Sequence, residues 1–182
     1  MALSKARRAL SPLNDEKLNE LALRYVGRFA TTRAKLQAYL RRKVRERDWE
    51  GGRPPDFEAI AQRFAERGFV DDAGYALAKS RALTGRGYGK RRVVEALRLA
   101  GIEEGDGEAA RELADAEAVS AALRFAEKRR FGPFAVGEAG HPQEREKALA
   151  AMLRAGHAFD LSRAILAIRP GEPIELDDLS AR

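Results

Sequence analysis

Apolar residues recur along this chain at helical spacing almost without a break. The first stripe is Leu18, Leu21, Ala22, Tyr25, Val26 and Phe29, an i, i+3, i+4, i+7 series that lines one helix face. Asn14 stands where a capping side chain is needed, and Asp15 and Glu16 suit the positive end of the helix dipole. A second helix starts at Thr31 or Thr32 and turns Leu36, Tyr39, Leu40 and Val44 inward. Pro54 and Pro55 cannot continue a helix, so the Gly51–Pro55 stretch predicts a loop. A third helix, capped by Asp56, buries Phe57, Ile60, Ala61 and Phe64 and stops at Gly68.

The theme continues. Asp71 or Asp72 caps a fourth helix that is expected to bury Tyr75, Ala76, Ala82 and Leu83, and a fifth from about Gly89 buries Val93, Leu97 and Ala100 before Gly101. Further helices follow Gly107, span about 116–130, carry Ala148 to Leu153, and start at Asp160. The pattern predicts an all-α chain of about nine helices in three sets of three. Ala22-Leu23-Arg24-Tyr25, Ala76-Leu77-Ala78-Lys79 and Ala122-Leu123-Arg124-Phe125 start alike, at spacings of 54 and 46 residues. Such spacing suggests an old internal repeat, and an elongated array of units at 14–70, 71–115 and 116–168. Residues 1–13 and 169–182 are expected to be flexible tails.

Composition narrows the chemistry. Among 182 residues there is no cysteine, which excludes disulfides, thiol catalysis and cysteine-based metal sites. No apolar run reaches the roughly 20 residues of a membrane helix, and no secretory pattern follows the basic start, so a cytoplasmic protein is expected. His141 and His157 have no partner at ligand spacing and Ser80 has no base nearby. Neither a metal, a cofactor nor a catalytic group is expected, and the chain reads as a non-enzyme.

Charge changes the picture more. The net charge is +6, but residues 1–102 hold 23 Lys/Arg against 12 Asp/Glu, or +11, which leaves −5 for the rest. Within residues 33–47 seven cations face one acid, Glu46, and no acid stands between Ala73 and Val94, where six cations do. The candidate contact residues for an anionic partner are therefore Arg33, Arg41, Arg42, Arg45, Arg81, Arg86, Lys90, Arg91 and Arg92. Arg81 could instead pair with Asp71 or Asp72. The run Gly85-Arg86-Gly87-Tyr88-Gly89-Lys90-Arg91 superficially suggests a phosphate loop. A Walker loop, however, needs Gly where Thr84 stands, Ser or Thr where Arg91 stands, and a strand before it. The run reads as a helix–helix turn that also presents the next helix's N-terminus and its cations to acidic groups.

The ordered set Gly68-Phe69-Val70-Asp71-Asp72, Tyr75-Ala76, Ser80-Arg81, Lys90-Arg91-Arg92 and Leu97 to Gly101-Ile102 resembles the RecX family of regulatory proteins. Ala22-Leu23-Arg24-Tyr25-Val26 and Thr32-Arg33 through Leu36 and Leu40 add to the likeness, which spans about residues 14–102 and extends more weakly to about 168. The resemblance implies an elongated helical protein built from three-helix units that binds in the groove of a RecA filament on single-stranded DNA; a monomer is expected. It implies modulation, chiefly inhibition, of the filament's ATPase, strand-exchange and co-protease activities. The chain departs from the family in its double-proline loop and in an insertion from Phe134 to Gly140. The rivals are a helix-turn-helix regulator that binds duplex DNA by itself and a helical scaffold with no nucleic-acid role. Sequence-independent contact with single- or double-stranded DNA is compatible with the same cations.

Overall fold

The computed structural model describes residues 11–136 and 142–180. The basic residues of 1–10 and His141 lie outside them. Every regular element among the described residues is helical, so the chain is all-α as expected. It falls into two compact units, which divide after Asp72.

The first unit holds α1 (Asp15–Val26), α2 (Arg33–Arg47) and α3 (Phe57–Glu66). Each starts at a side chain that meets an otherwise orphaned amide: Asn14 accepts from Lys17 N at 3.0 Å, Thr32 from Lys35 N at 3.1 Å, and Asp56 from Ala59 N at 2.9 Å. The apolar stripes meet in one cluster that includes Leu18, Ala22, Leu36, Leu40, Ile60 and Phe64. Tyr25 and Tyr39 stack at its edge with ring centres 4.1 Å apart.

Leu13 corrects the expected N-terminal tail. It is fully buried in this cluster. Its backbone donates to Asp48 O at 3.0 Å and accepts from Glu50 N at 2.8 Å, a single parallel bridge beside Trp49. The extended segment after α2 supplies the partner, and a one-residue pairing leaves no periodicity in the sequence to reveal it.

Asp72 is the buried ion of this unit. Its side chain is 4% exposed, and it accepts from the Arg33 backbone N–H at 2.9 Å and from Arg33 Nε at 3.1 Å. One carboxylate thus meets both an orphan amide at the start of α2 and the guanidinium beside it.

The second unit carries α4 from Ala73 onward (α4 as a whole is Asp72–Thr84), then α5 (Lys90–Leu99), α6 (Glu108–Ala116) and α7 (Ala118–Arg129). A 3-10 turn at Gly132–Phe134 precedes α8 (Pro142–Arg154), α9 (Phe159–Ala167) and α10 (Leu176–Ser180). Two core clusters fill it: one built on Ala76, Leu83, Val93, Leu97, Ala110 and Ala114, the other on Ala122, Ala126, Met152, Leu161, Ile165 and Leu179. Ser80 ties α4 to α6 within the first, since its buried hydroxyl donates to Ala110 O at 2.8 Å.

α10 is the second correction. The chain after Arg169 turns where Arg169 N donates to the Glu172 carboxylate at 2.9 Å, and Leu179 then packs, 4% exposed, into the core with Ile174 at its edge. A five-residue helix is too short to show a helical stripe in the sequence, and Pro170 and Pro173 hide it further.

Removing the buried ion tests its role. Asp72→Ala removes the carboxylate that both the Arg33 backbone N–H and its Nε meet, and is expected to cost about 1–3 kcal/mol in urea unfolding. Arg24→Ala, which breaks only the exposed bridge to Glu20, is expected to cost less than about 1 kcal/mol.

Candidate functional site

Four of the nine predicted contact residues lie on α2. Arg41, Arg42 and Arg45 are exposed. Arg41 donates to Gln37 at 2.9 Å and sits 5.5 Å from the Phe57 ring centre. Arg42 lies 3.5 Å from Glu46 and 5.6 Å from the centre of the Tyr39 ring. Glu46 also takes Lys43 at 2.6 Å, so the one acid of this helix is shared between two cations. Arg45 makes neither a hydrogen bond nor an ion pair through its side chain among the described residues. Arg33 is different: its side chain is spent on Asp72, which makes it a structural residue of the unit.

The other five lie on α4, α5 and the glycine-rich elbow between them, and here the geometry changes the reading. The elbow is locked to the turn that follows α8. Gly89 N donates to Ala155 O at 3.0 Å, and Arg91 N donates to Gly156 O at 3.2 Å. His157 completes the lock, its Nε2 3.0 Å from the Gly87 carbonyl oxygen. Because a carbonyl only accepts, Nε2 carries the proton and donates.

Glycine is required on both sides of this contact. Gly87 and Gly156 have φ of +89° and +96°, where L side chains are strained. Gly89 has an ordinary φ of −83°, but a Cβ there would press on the Gly156 carbonyl and come within 2.7 Å of His157 N. A Cβ at Gly156 would come within 2.6 Å of Arg92 N. The glycines thus let two backbones touch.

That contact corrects the expectation that the N-terminus of α5 faces an acidic partner. No side chain caps this helix, and the Gly156 carbonyl already accepts from the Arg91 N–H in its first turn. What remains outward is side chains. Lys90 is 2.6 Å from Asp115, and Arg92 is 3.5 Å from Glu95. Arg86 donates to Ala82 O at 3.0 Å and lies 5.9 Å from the Tyr88 ring centre. Arg81 and Arg91 are exposed and make no side-chain hydrogen bond or ion pair among the described residues. The pairing of Arg81 with Asp71 or Asp72 is not formed.

His157 is the part of the elbow contact that the sequence did not reveal. In the sequence it stood out only as a candidate ligand without partners, whereas Gly156-His157 directly after a helix was the available sign of a tight, buried turn. Burial among the packed backbones and beside the Phe125 ring, whose centre is 5.5 Å away, pushes its pKa below the ordinary 6.5. The hydrogen bond to Gly87 pushes the other way and is the smaller effect. No group of three ligating side chains that could hold a metal occurs among the described residues. No helix among them is long and apolar enough to cross a membrane.

Two outcomes follow from the lock. Gly89→Ala keeps an allowed φ, so its cost reports the contact alone; a loss of about 1–3 kcal/mol is expected in denaturant unfolding. Gly105→Ala, whose added Cβ meets nothing within 4 Å, serves as the neutral control. The second outcome is a pH dependence. The unfolded chain takes up a proton at His157 near 6.5 and the folded chain resists it, so stability is full above that pH and falls as the pH drops below it. Melting curves between about pH 7.5 and about pH 5.5 should show this loss in the wild type, and a smaller one in His157→Gln.

Comparison with known proteins bears on the whole chain. No family model matches it. The regulatory protein RecX of Myxococcus xanthus (strain DK1622) is 31% identical over 162 residues, covering 84% of this chain and 86% of that protein. Among solved structures, RecX from Lactobacillus salivarius superposes with a TM-score of 0.58 at 17% identity, covering 92% of this chain and 97% of that one. A second crystal structure of regulatory protein RecX gives 0.57 at 20% identity, covering 83% of this chain and 70% of that one. At those identities the structures attest to the fold alone, whereas the Myxococcus likeness extends through the sequence of most of both chains. The chain belongs to the RecX family of regulatory proteins.

Proposed function

We propose that this chain is a non-enzymatic cytoplasmic regulator that binds the RecA filament on single-stranded DNA and restrains its ATPase, strand-exchange and co-protease activities. The observation that carries this reading is a surplus of cations the fold does not use. Arg45, Arg81 and Arg91 are exposed without side-chain hydrogen bonds or ion pairs among the described residues, and Arg41, Arg42, Arg86, Lys90 and Arg92 stand beside them in sequence, held only by exposed contacts. Exposed ion pairs contribute little to stability, so these side chains can exchange an internal acid for an acidic protein surface or a phosphate at small cost. Arg33 leaves the contact set. Three three-helix units, at 14–70, 71–115 and 116–168, belong to the same reading, supported by three separate buried clusters.

The helix-turn-helix rival is weakened by the elbow itself. The first turn of α5 would have to enter a groove, yet its backbone is packed under the 155–157 turn.

Titration into a RecA–single-stranded-DNA ATPase assay tests the proposal, with free single-stranded DNA as the binding control. The wild type should slow ATP turnover. Arg45→Glu/Arg81→Glu/Arg91→Glu should need about ten-fold more protein for the same effect while keeping its helical content. Equal inhibition by that variant would remove the contact assignment. A tight footprint on one duplex sequence without recombinase would favour the rival. If the protein binds neither filament nor DNA, it is a helical scaffold.

A further inference from the structure

The second unit has a groove that the basic surfaces above do not include. It holds about 370 Å³, between the end of α7, the outer face of α8 and the end of α9. Its floor is apolar: Phe131, Ala148, Leu166 and Ile168. Its rim is cationic, with Arg130, Arg145, Lys147 and Arg169 against one acid, Glu144. Arg169 is partly engaged by Glu172 at 4.0 Å. The side chains of Arg130, Arg145 and Lys147 have no hydrogen bond or ion pair among the described residues. This is the more notable because the chain beyond residue 102 is acidic overall, at −5.

We propose that this groove docks an acidic peptide segment of a partner protein, seating one bulky apolar side chain on the floor while flanking carboxylates meet the rim. The volume lies at the small end of the roughly 300–1,000 Å³ range of ligand pockets, which suits one anchor side chain rather than a whole helix or strand. Charge selects the flanks: three cations with no hydrogen bond or ion pair among the described residues stand around an apolar floor and complement carboxylates on both sides of an anchor. The same features disfavour nucleic acid. Phosphates need the cations but not the apolar floor, which would stay empty beneath a bound backbone. The proposal does not rest on the filament reading, because none of the nine cations of the basic surfaces lines the groove.

The full chain can be tested with a short fluorescein-labelled peptide carrying one Phe between Asp and Glu residues. Fluorescence anisotropy should show saturable binding. Replacing the Phe by Ala, or the acids by Asn and Gln, should weaken it about ten-fold or more. Arg145→Glu/Lys147→Glu, both on the exposed face of α8, should weaken it similarly with unchanged circular dichroism, and Arg91→Glu/Arg92→Glu should not. Absence of saturable binding would overturn the proposal, as would equal binding of the Phe-less peptide. So would displacement of the peptide by a single-stranded oligonucleotide that the Arg91→Glu/Arg92→Glu variant also binds. Concentration-dependent sedimentation abolished by Arg145→Glu/Lys147→Glu would replace it with a self-association surface.

Discussion

The second unit depends on two backbones brought into contact with nothing between them. At the Gly87–Gly89 elbow and the Gly156–His157 turn, amides meet carbonyls at 3.0 and 3.2 Å, and there is no room for a Cβ at Gly89 or Gly156. Hydrogen bonds of this kind contribute modestly when made and cost more when a buried partner is left unmet. The glycines therefore act through shape. They allow the approach, and the amides and His157 satisfy the polar groups that the approach buries. Elements 70 residues apart in sequence become neighbours, which ties α5 to the end of α8.

This constraint divides the basic stretch into two sets of atoms with different work. The backbone at the start of α5 is internal. The side chains that leave the same residues point outward, and Arg81 and Arg91 find no acid among the described residues. In the first unit a similar division separates two residues of one helix: Arg33 meets the buried Asp72, while Arg45 makes no side-chain hydrogen bond or ion pair among the described residues. Cation count alone treats these residues as equals. Burial separates them, because a carboxylate that is 4% exposed holds its partner far more firmly than an exposed one such as Glu46.

Much of the fold was legible because its rules are local. Asn14, Thr32 and Asp56 cap helices within three residues of themselves, and the Leu18–Ala22 and Leu36–Leu40 stripes need only helical periodicity. The features that escaped have distant causes. Leu13 is buried because Asp48 and Glu50 offer it backbone partners, and α10 forms because Leu179 has a core to enter. The Gly-rich elbow was visible as a turn, but its partner at Gly156-His157 has no local signature that links it to residue 87. The basic faces were equally visible, whereas their internal ties, Arg33 to Asp72 above all, required the fold.

Native-state amide hydrogen exchange at Gly89 and Arg91, with and without added phosphate or ATP, tests the lock most directly. The account predicts slow exchange at both amides, close to that of the core of α5, and no change with either anion. Fast exchange that slows when phosphate or ATP is added would contradict it, since the elbow would then be an open anion cradle rather than a closed backbone contact.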